Sequence, residues 1–216
     1  MTRHPFSMVE ILLALGVVAI GICSIMVLFP VGATATRDAE VVNYASQAAD
    51  QLLSVLKYNL TYDKSASGKS KTAWEKVDAF TVVNQTTIDA ALTAAQASLA
   101  SGWAAPSSTN SVLGGEIASG NLFVPQSASN AQIFLLVSRS DGKTSVSDLD
   151  TAAQNGNIDF RAIAILTKQQ IRIGTNDLPD SMGSRFVLEI RWPVELPYAA
   201  QKSEEYILEI MRPTFE

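Results

Sequence analysis

Few side chains in this sequence could do chemistry, and their positions narrow what that chemistry could be. His4 is the sole histidine and Cys23 the sole cysteine, and Cys23 lies inside a long apolar run. A Ser-His-Asp arrangement, a histidine proton shuttle or a His/Cys zinc site needs residues that the rest of the chain lacks. One cysteine also forbids an intramolecular disulfide. Hard oxygen donors are densest between Asp141 and Asp159, where Asp148, Asp150 and Asp159 join Asn155 and Asn157. Calcium prefers such oxygens, but the spacing is not that of an EF-hand, and loops rich in Asp, Asn and Gly serve equally as solvated turns. Asp148, Asp150 and Asp159 are therefore weak calcium candidates, and no other cofactor is expected. Gly114 and Gly115 sit in a Ser/Asn-rich stretch rather than after a strand, so they read as a turn and not as a phosphate loop. Trp74 and Trp103 read as packing residues and Trp192 as part of an apolar strand face, ahead of any aromatic ligand platform.

One carboxylate remains that solvation does not explain. Glu10 precedes residues 11–33, ILLALGVVAIGICSIMVLFPVGA, which carry no charge. At the helical rise this run spans roughly 34 Å, enough to cross a bilayer. An acid at the mouth of a membrane helix costs a few kcal/mol unless a cation pairs with it. Arg3 and His4 precede the run while Asp38 and Glu40 follow it, which places the N-terminus in the cytoplasm and the head outside. Gly16 and Gly21 read as the ordinary tolerance of membrane helices for glycine, ahead of close helix packing, and Pro30 removes one backbone hydrogen bond, so a bend is expected near 27–30.

The string Phe6-Ser7-Met8-Val9-Glu10 followed by an unbroken apolar helix resembles the type III signal of type IV prepilins and type II secretion pseudopilins. In that family a dedicated prepilin peptidase cuts before an aromatic residue and methylates the new amine. The glutamate five residues into the mature chain pairs with a neighbouring subunit's amine. The resemblance therefore implies cleavage between Pro5 and Phe6, a short leader over 1–5, a methylated Phe6 and an assembly role for Glu10. The position before the cut is normally glycine, and Pro5 presents the peptidase with a backbone that has no N–H and a fixed φ. A retained leader would leave a pilin-like membrane protein. LFPVGATATRDAE after the anchor and EIRWP near the end also resemble the pilin-like proteins of the Verru_Chthon cassette families. The same likeness adds weight to the calcium candidates, since some major pseudopilins bind calcium in a loop near the C-terminus.

The elements needed to carry this anchor are legible beyond it. Past Thr36 the chain keeps strong helix formers, with a stripe at Val41, Ala45, Ala48, Leu52 and Leu56 that lies on one face. The expected organisation is a transmembrane half-helix over 6–35, an amphipathic half over 36–60, a loop-rich region over 61–130 and an antiparallel sheet over 131–216. Within the loop-rich region, 61–76 reads as a solvated loop, 86–101 as a threonine-capped helix, and 121–124 as a short strand. Strands are expected at 132–138, 158–167, 185–192 and 205–212; the last two alternate cleanly, with Phe186, Leu188, Ile190 and Trp192 sharing one face. This is an α+β fold of pilin-like design: a long N-terminal helix packed on a C-terminal sheet, with a shorter helix inserted.

The bulk numbers agree with an anchor plus one head. The chain has 216 residues, 47% of them hydrophobic and 17% charged, and the apolar surplus is concentrated at the N-terminus. A net charge of −5 with no Lys/Arg block argues against a nucleic-acid partner. The reading is a non-enzymatic pilin-like subunit, a pseudopilin or minor pilin of a type II secretion or type IV pilus-like filament. It would lie in the bacterial inner membrane with its head on the periplasmic side, and partner other pilin-like subunits through the N-terminal helix. The alternatives are a membrane-anchored extracytoplasmic binding module and a protein secreted by a conventional signal cut after Ala33-Thr34-Ala35.

Overall fold

The computed structural model describes residues 7–61, 69–97, 99–107, 110–113, 121–126, 128, 130–141, 143 and 145–213. The chain divides into two compact units, Met1–Asn43 and Tyr44–Glu216. Helix α1 runs Met8–Thr61, 54 residues, and continues through Pro30. Its first part makes up the described portion of the first unit.

In the second unit, the final turns of α1 bury Ala45, Ala49, Leu52, Leu56 and Leu60. These positions recur at four, three, four and four residues, so one narrow stripe faces the core. Ala49 and Leu60 extend the stripe expected from the sequence, and Ala48 falls at its half-buried margin. Five further helical or sheet segments follow before the main strands: α2 (Lys69–Asp78), α3 (Gln85–Ala97), α4 (Leu99–Gly102), β1 (Trp103–Ala104) and β2 (Leu122–Pro125). Then come β3 (Ile133–Arg139), α5 (Leu149–Gln154), β4 (Ile158–Gln169), the small hairpin β5 (Arg172–Ile173) and β6 (Asn176–Asp177), β7 (Gly183–Trp192) and β8 (Lys202–Met211). The main sheet is antiparallel throughout, in the order β1-β2-β3-β4-β7-β8. The fold is thus α+β, with a long N-terminal helix and a C-terminal antiparallel sheet.

Both sheet faces are covered over β2, β3 and β4. On one face lie the end of α1 and α2: Tyr44 stacks on Phe160 at 6.0 Å, and Trp74 meets Phe186 at 6.3 Å between ring centres. On the other, Ile88, Leu92 and Ala95 of α3 pack with Ile133, Leu135 and Val137 of β3 and Ile163 and Ile165 of β4. This double cover explains why β3 and β4 read as continuous apolar runs rather than alternating ones. By contrast β7 alternates buried and half-buried residues along its length, because only its α1 face is covered.

Two expectations need correction. Residues 69–76, read as part of a solvated loop, belong to α2: within a Lys/Ser-rich segment, Ala73, Trp74 and Val77 share one buried face. The Trp74 indole N–H donates to the Leu60 carbonyl at 2.9 Å, so the burial of its one polar atom is satisfied. The inserted helix starts at Gln85 and is capped by asparagine, not threonine: Asn84 Oδ1 accepts from the Thr87 backbone N–H at 2.9 Å and from its hydroxyl at 2.8 Å. Asparagine's short carbonyl reaches the free amides of a first turn better than threonine's hydroxyl. The strands lie within a few residues of their expected limits.

Candidate functional site

Glu10, to which the resemblance gives an assembly role, falls in the first turn of α1. Ser7 closes a reciprocal cap with Glu10: the Ser7 N–H donates to Glu10 Oε2 at 2.9 Å, and the Val9 N–H donates to Ser7 Oγ at 3.3 Å. The Glu10 and Ile11 amides donate to the Ser7 carbonyl at 3.0 and 3.3 Å, which starts the helix. A Ser-x-x-Glu pattern ahead of an apolar run is the sequence signature of this cap. That signal was present in Ser7-Met8-Val9-Glu10, and the reading from sequence overlooked it in favour of Glu10 alone. The cap also places a negative charge at the positive end of the helix.

Beyond Glu10 the helix surface is apolar on every side. From Met8 to Val31 the large apolar side chains described are all more than half exposed, and Cys23 is exposed among them. Polar side chains within or just after this stretch bond to the backbone of the preceding turn. Ser24 Oγ donates to the Ile20 carbonyl at 2.9 Å, Thr34 Oγ1 to Val31 at 2.9 Å and Thr36 Oγ1 to Gly32 at 3.0 Å. Hydroxyls satisfied in this way can be transferred into hydrocarbon without an orphaned donor. This helix is long and apolar enough to span a membrane. A helix apolar all round has no aqueous face to present and is either enclosed by other helices or by lipid.

Pro5 and Phe6, the expected cleavage position, and His4 lie outside the described residues. The calcium candidates are not brought together: among the described residues no group of three or more His, Cys, Asp or Glu side chains is placed to hold a metal. Asp150 Oδ1 accepts the Leu99 backbone N–H at 2.6 Å, fixing the start of α4. Asp141 is held by Arg139 through Nε at 2.9 Å and Nη2 at 2.8 Å, and by the Lys143 N–H at 3.1 Å. The Arg139 hydrogen bonds are the main cause of an Asp141 pKa lowered to about 2. Oxygens of Asp150 and Asp141 are thus committed to an amide and a guanidinium that serve the fold. Trp74, Trp103 and Trp192 are all buried and present no aromatic platform.

A charged cluster in the head is structural. Asp78 at the end of α2 accepts from Lys168 Nζ of β4 at 2.8 Å and from Arg212 Nη1 after β8 at 2.8 Å, while Lys168 also reaches Asp180 at 3.1 Å. Burial pushes the Asp78 pKa up, but the Lys168 and Arg212 hydrogen bonds outweigh it and the net shift is downward. This network clamps α2, β4, the segment before β7 and the segment after β8.

No protein family, curated protein or solved structure matches this chain.

Proposed function

We propose that this chain is a non-enzymatic pilin-like subunit, a pseudopilin or minor pilin of a type II secretion or type IV pilus-like system. Its apolar half-helix is held in the inner membrane with the head on the periplasmic side, and passes into the core of a helical filament on assembly. The observation that carries this reading is α1 itself. It is one helix, Met8–Thr61, apolar and exposed on all sides in its first half and buried along a single stripe in its last turns. Catalysis would not require a helix of that kind, whereas packing like subunits side by side does.

Glu10 is the residue assigned to assembly. Its cap supplies one N–H donor, from Ser7, which leaves the carboxylate's charge uncompensated when the helix is surrounded by lipid. The free amine of a neighbouring subunit cut at Phe6 would supply the counter-charge and fix the register between helices. Replacing Glu10 by Ala removes both cap and charge, while Glu10→Gln keeps an oxygen that can accept from Ser7 but deletes the charge. Both variants are expected to insert in the membrane and to fail in assembly, because a neighbour's amine left without its counter-ion costs several kcal/mol in low dielectric. The readout is the ratio of membrane-pool to sheared-filament protein in cells carrying the native machinery, with N-terminal sequencing of each pool. Wild-type ratios for both variants, or a mature chain that starts near Thr36, would overturn the assignment.

A further inference from the structure

The two edges of the main sheet are treated differently by the fold. One edge ends in β1, only two residues long. The other is β8, ten residues that pair along their full length with β7 in an unbroken register from Gly183↔Met211 to Trp192↔Lys202. The direction of the β8 backbone groups follows from one bond. The Arg212 N–H donates to the Met182 carbonyl at 2.8 Å, one step beyond the Gly183↔Met211 pair. In an antiparallel ladder the bonded pairs alternate, so even-numbered residues of β8 bond to β7 and Ser203, Glu205, Ile207, Glu209 and Met211 turn their N–H and C=O outward. All five are exposed, and no hydrogen bond among the described residues uses their backbone.

Of the usual protections of such an edge, β8 keeps charged side chains, Lys202, Glu204, Glu205 and Glu209, and lacks others. β8 contains no proline, its register contains no bulge, and the α3 layer packs on β2, β3 and β4 without a residue of β7 or β8 in its cluster. The exposed face also carries Ile207 and Met211, which suits it to receive apolar side chains from a neighbouring strand.

Charge decides what kind of strand fits. Glu205 stands directly across the ladder from Glu189, an unfavourable like-charge pair. Arg191 binds Glu189 at 2.6 Å and so offsets that repulsion, while Arg185 is held by Glu209 at 2.6 Å, which leaves Glu205 itself without a cation. On the opposite face Glu204 accepts the Tyr206 hydroxyl at 2.7 Å, and Asp50 of α1 adds its negative charge to the same place. Burial, then Glu204, pushes the Tyr206 pKa up to about 12. Among the described residues no cation pairs with Glu204 or Glu205. A second copy of β8 fits poorly: one lysine against three glutamates leaves each strand with a surplus of two negative charges, and self-pairing doubles it.

We infer that β8 is a docking edge for an extended segment of another protein, added as a seventh strand, with two consecutive basic residues set opposite Glu204 and Glu205. The backbone supplies the affinity and the adjacent acids on the two faces supply the selection, as in other strand-addition interfaces. The inference goes beyond the filament reading and stands on the head's sheet edge alone.

The test uses the full chain in detergent micelles and residue-resolved amide hydrogen exchange. The probe is a synthetic ten-residue peptide of alternating valine and threonine with two central lysines; its counterpart has two central glutamates. The lysine peptide is expected to slow exchange at Ser203, Glu205 and Ile207 by about tenfold or more, and to leave Tyr206 and Leu208, already bonded to β7, unchanged. Ile207→Pro removes one outward donor and no bond to β7, so Tyr206 and Leu208 should stay protected while the peptide effect vanishes. Glu205→Lys should shift preference toward the glutamate peptide. Absence of slowing, equal slowing by both peptides, or full slowing in Ile207→Pro would overturn the inference. So would outward amides already protected in the peptide-free chain in a concentration-dependent way, since a second copy would then hold the edge.

Discussion

Replacing Leu56 by alanine tests whether the last turns of α1 belong to the head's core. Leu56 is 0% exposed, and Leu52 and Leu60 on the same stripe are 4% and 0% exposed. Truncating its isobutyl side chain to methyl removes three carbons and forfeits about 2.4 kcal/mol of transfer free energy at roughly 0.8 kcal/mol per buried carbon. The cavity left between the helix and a sheet already covered on both sides adds to this, for about 3 kcal/mol in all. For a unit of this size each kcal/mol lowers Tm by roughly 2–4 °C, so the expected drop is about 6–12 °C. The control is Leu15→Ala, at a side chain 61% exposed in the first unit, with an expected effect on the head within about 0.5 kcal/mol. The assay is thermal unfolding of the full chain in micelles, followed by near-ultraviolet circular dichroism. Trp74, Trp103 and Trp192 all lie buried in the second unit, so the aromatic signal reports on the head. A drop of less than about 2 °C for Leu56→Ala, or an equal drop for Leu15→Ala, would refute the division of α1 into a free half and a core half.

Two further predictions rest on close contacts in the head. A Cβ at Gly183 would meet the Ile210 carbonyl oxygen at 2.8 Å and Met211 Sδ at 3.1 Å, so Gly183→Ala should destabilise by about 1–3 kcal/mol, measured by urea unfolding. A stability equal to wild type would show that β7 and β8 can part at that end. The Asp141 carboxylate, lowered to about 2 by Arg139, contributes stability that is fully present above its unfolded-state pKa of about 3.9 and is lost as pH falls through about 2. Between those values Asp141→Asn should lose less stability than wild type, and carboxyl NMR should show Asp141 titrating near the lower limit; titration near 4 would refute the pairing.

The sequence alone determined the elements whose signal is periodic and uninterrupted. Residues 11–33 have no charge, so length and composition suffice to recognise a helix able to span a membrane. The alternation of Phe186, Leu188, Ile190 and Trp192 defined one covered face of β7, because strand side chains change sides at every residue. The amphipathic stripe in the second half of α1 was visible for the same kind of reason, at the helical period. What only the tertiary structure decided are matters of partnership. The apolar run in β4 is compatible with cover on either face or both, and it took the placement of α3 to show that both are covered. α2 escaped notice because three buried residues in a Lys/Ser-rich segment carry too little pattern; the burial of Trp74 depends on Phe186, far away in sequence, and on Leu60 of α1. Asp150 has the composition of a calcium ligand, yet its oxygen caps α4 across a sequence separation of 51 residues. Side-chain type sets what a residue can bind, but the donor that reaches it is chosen by the fold.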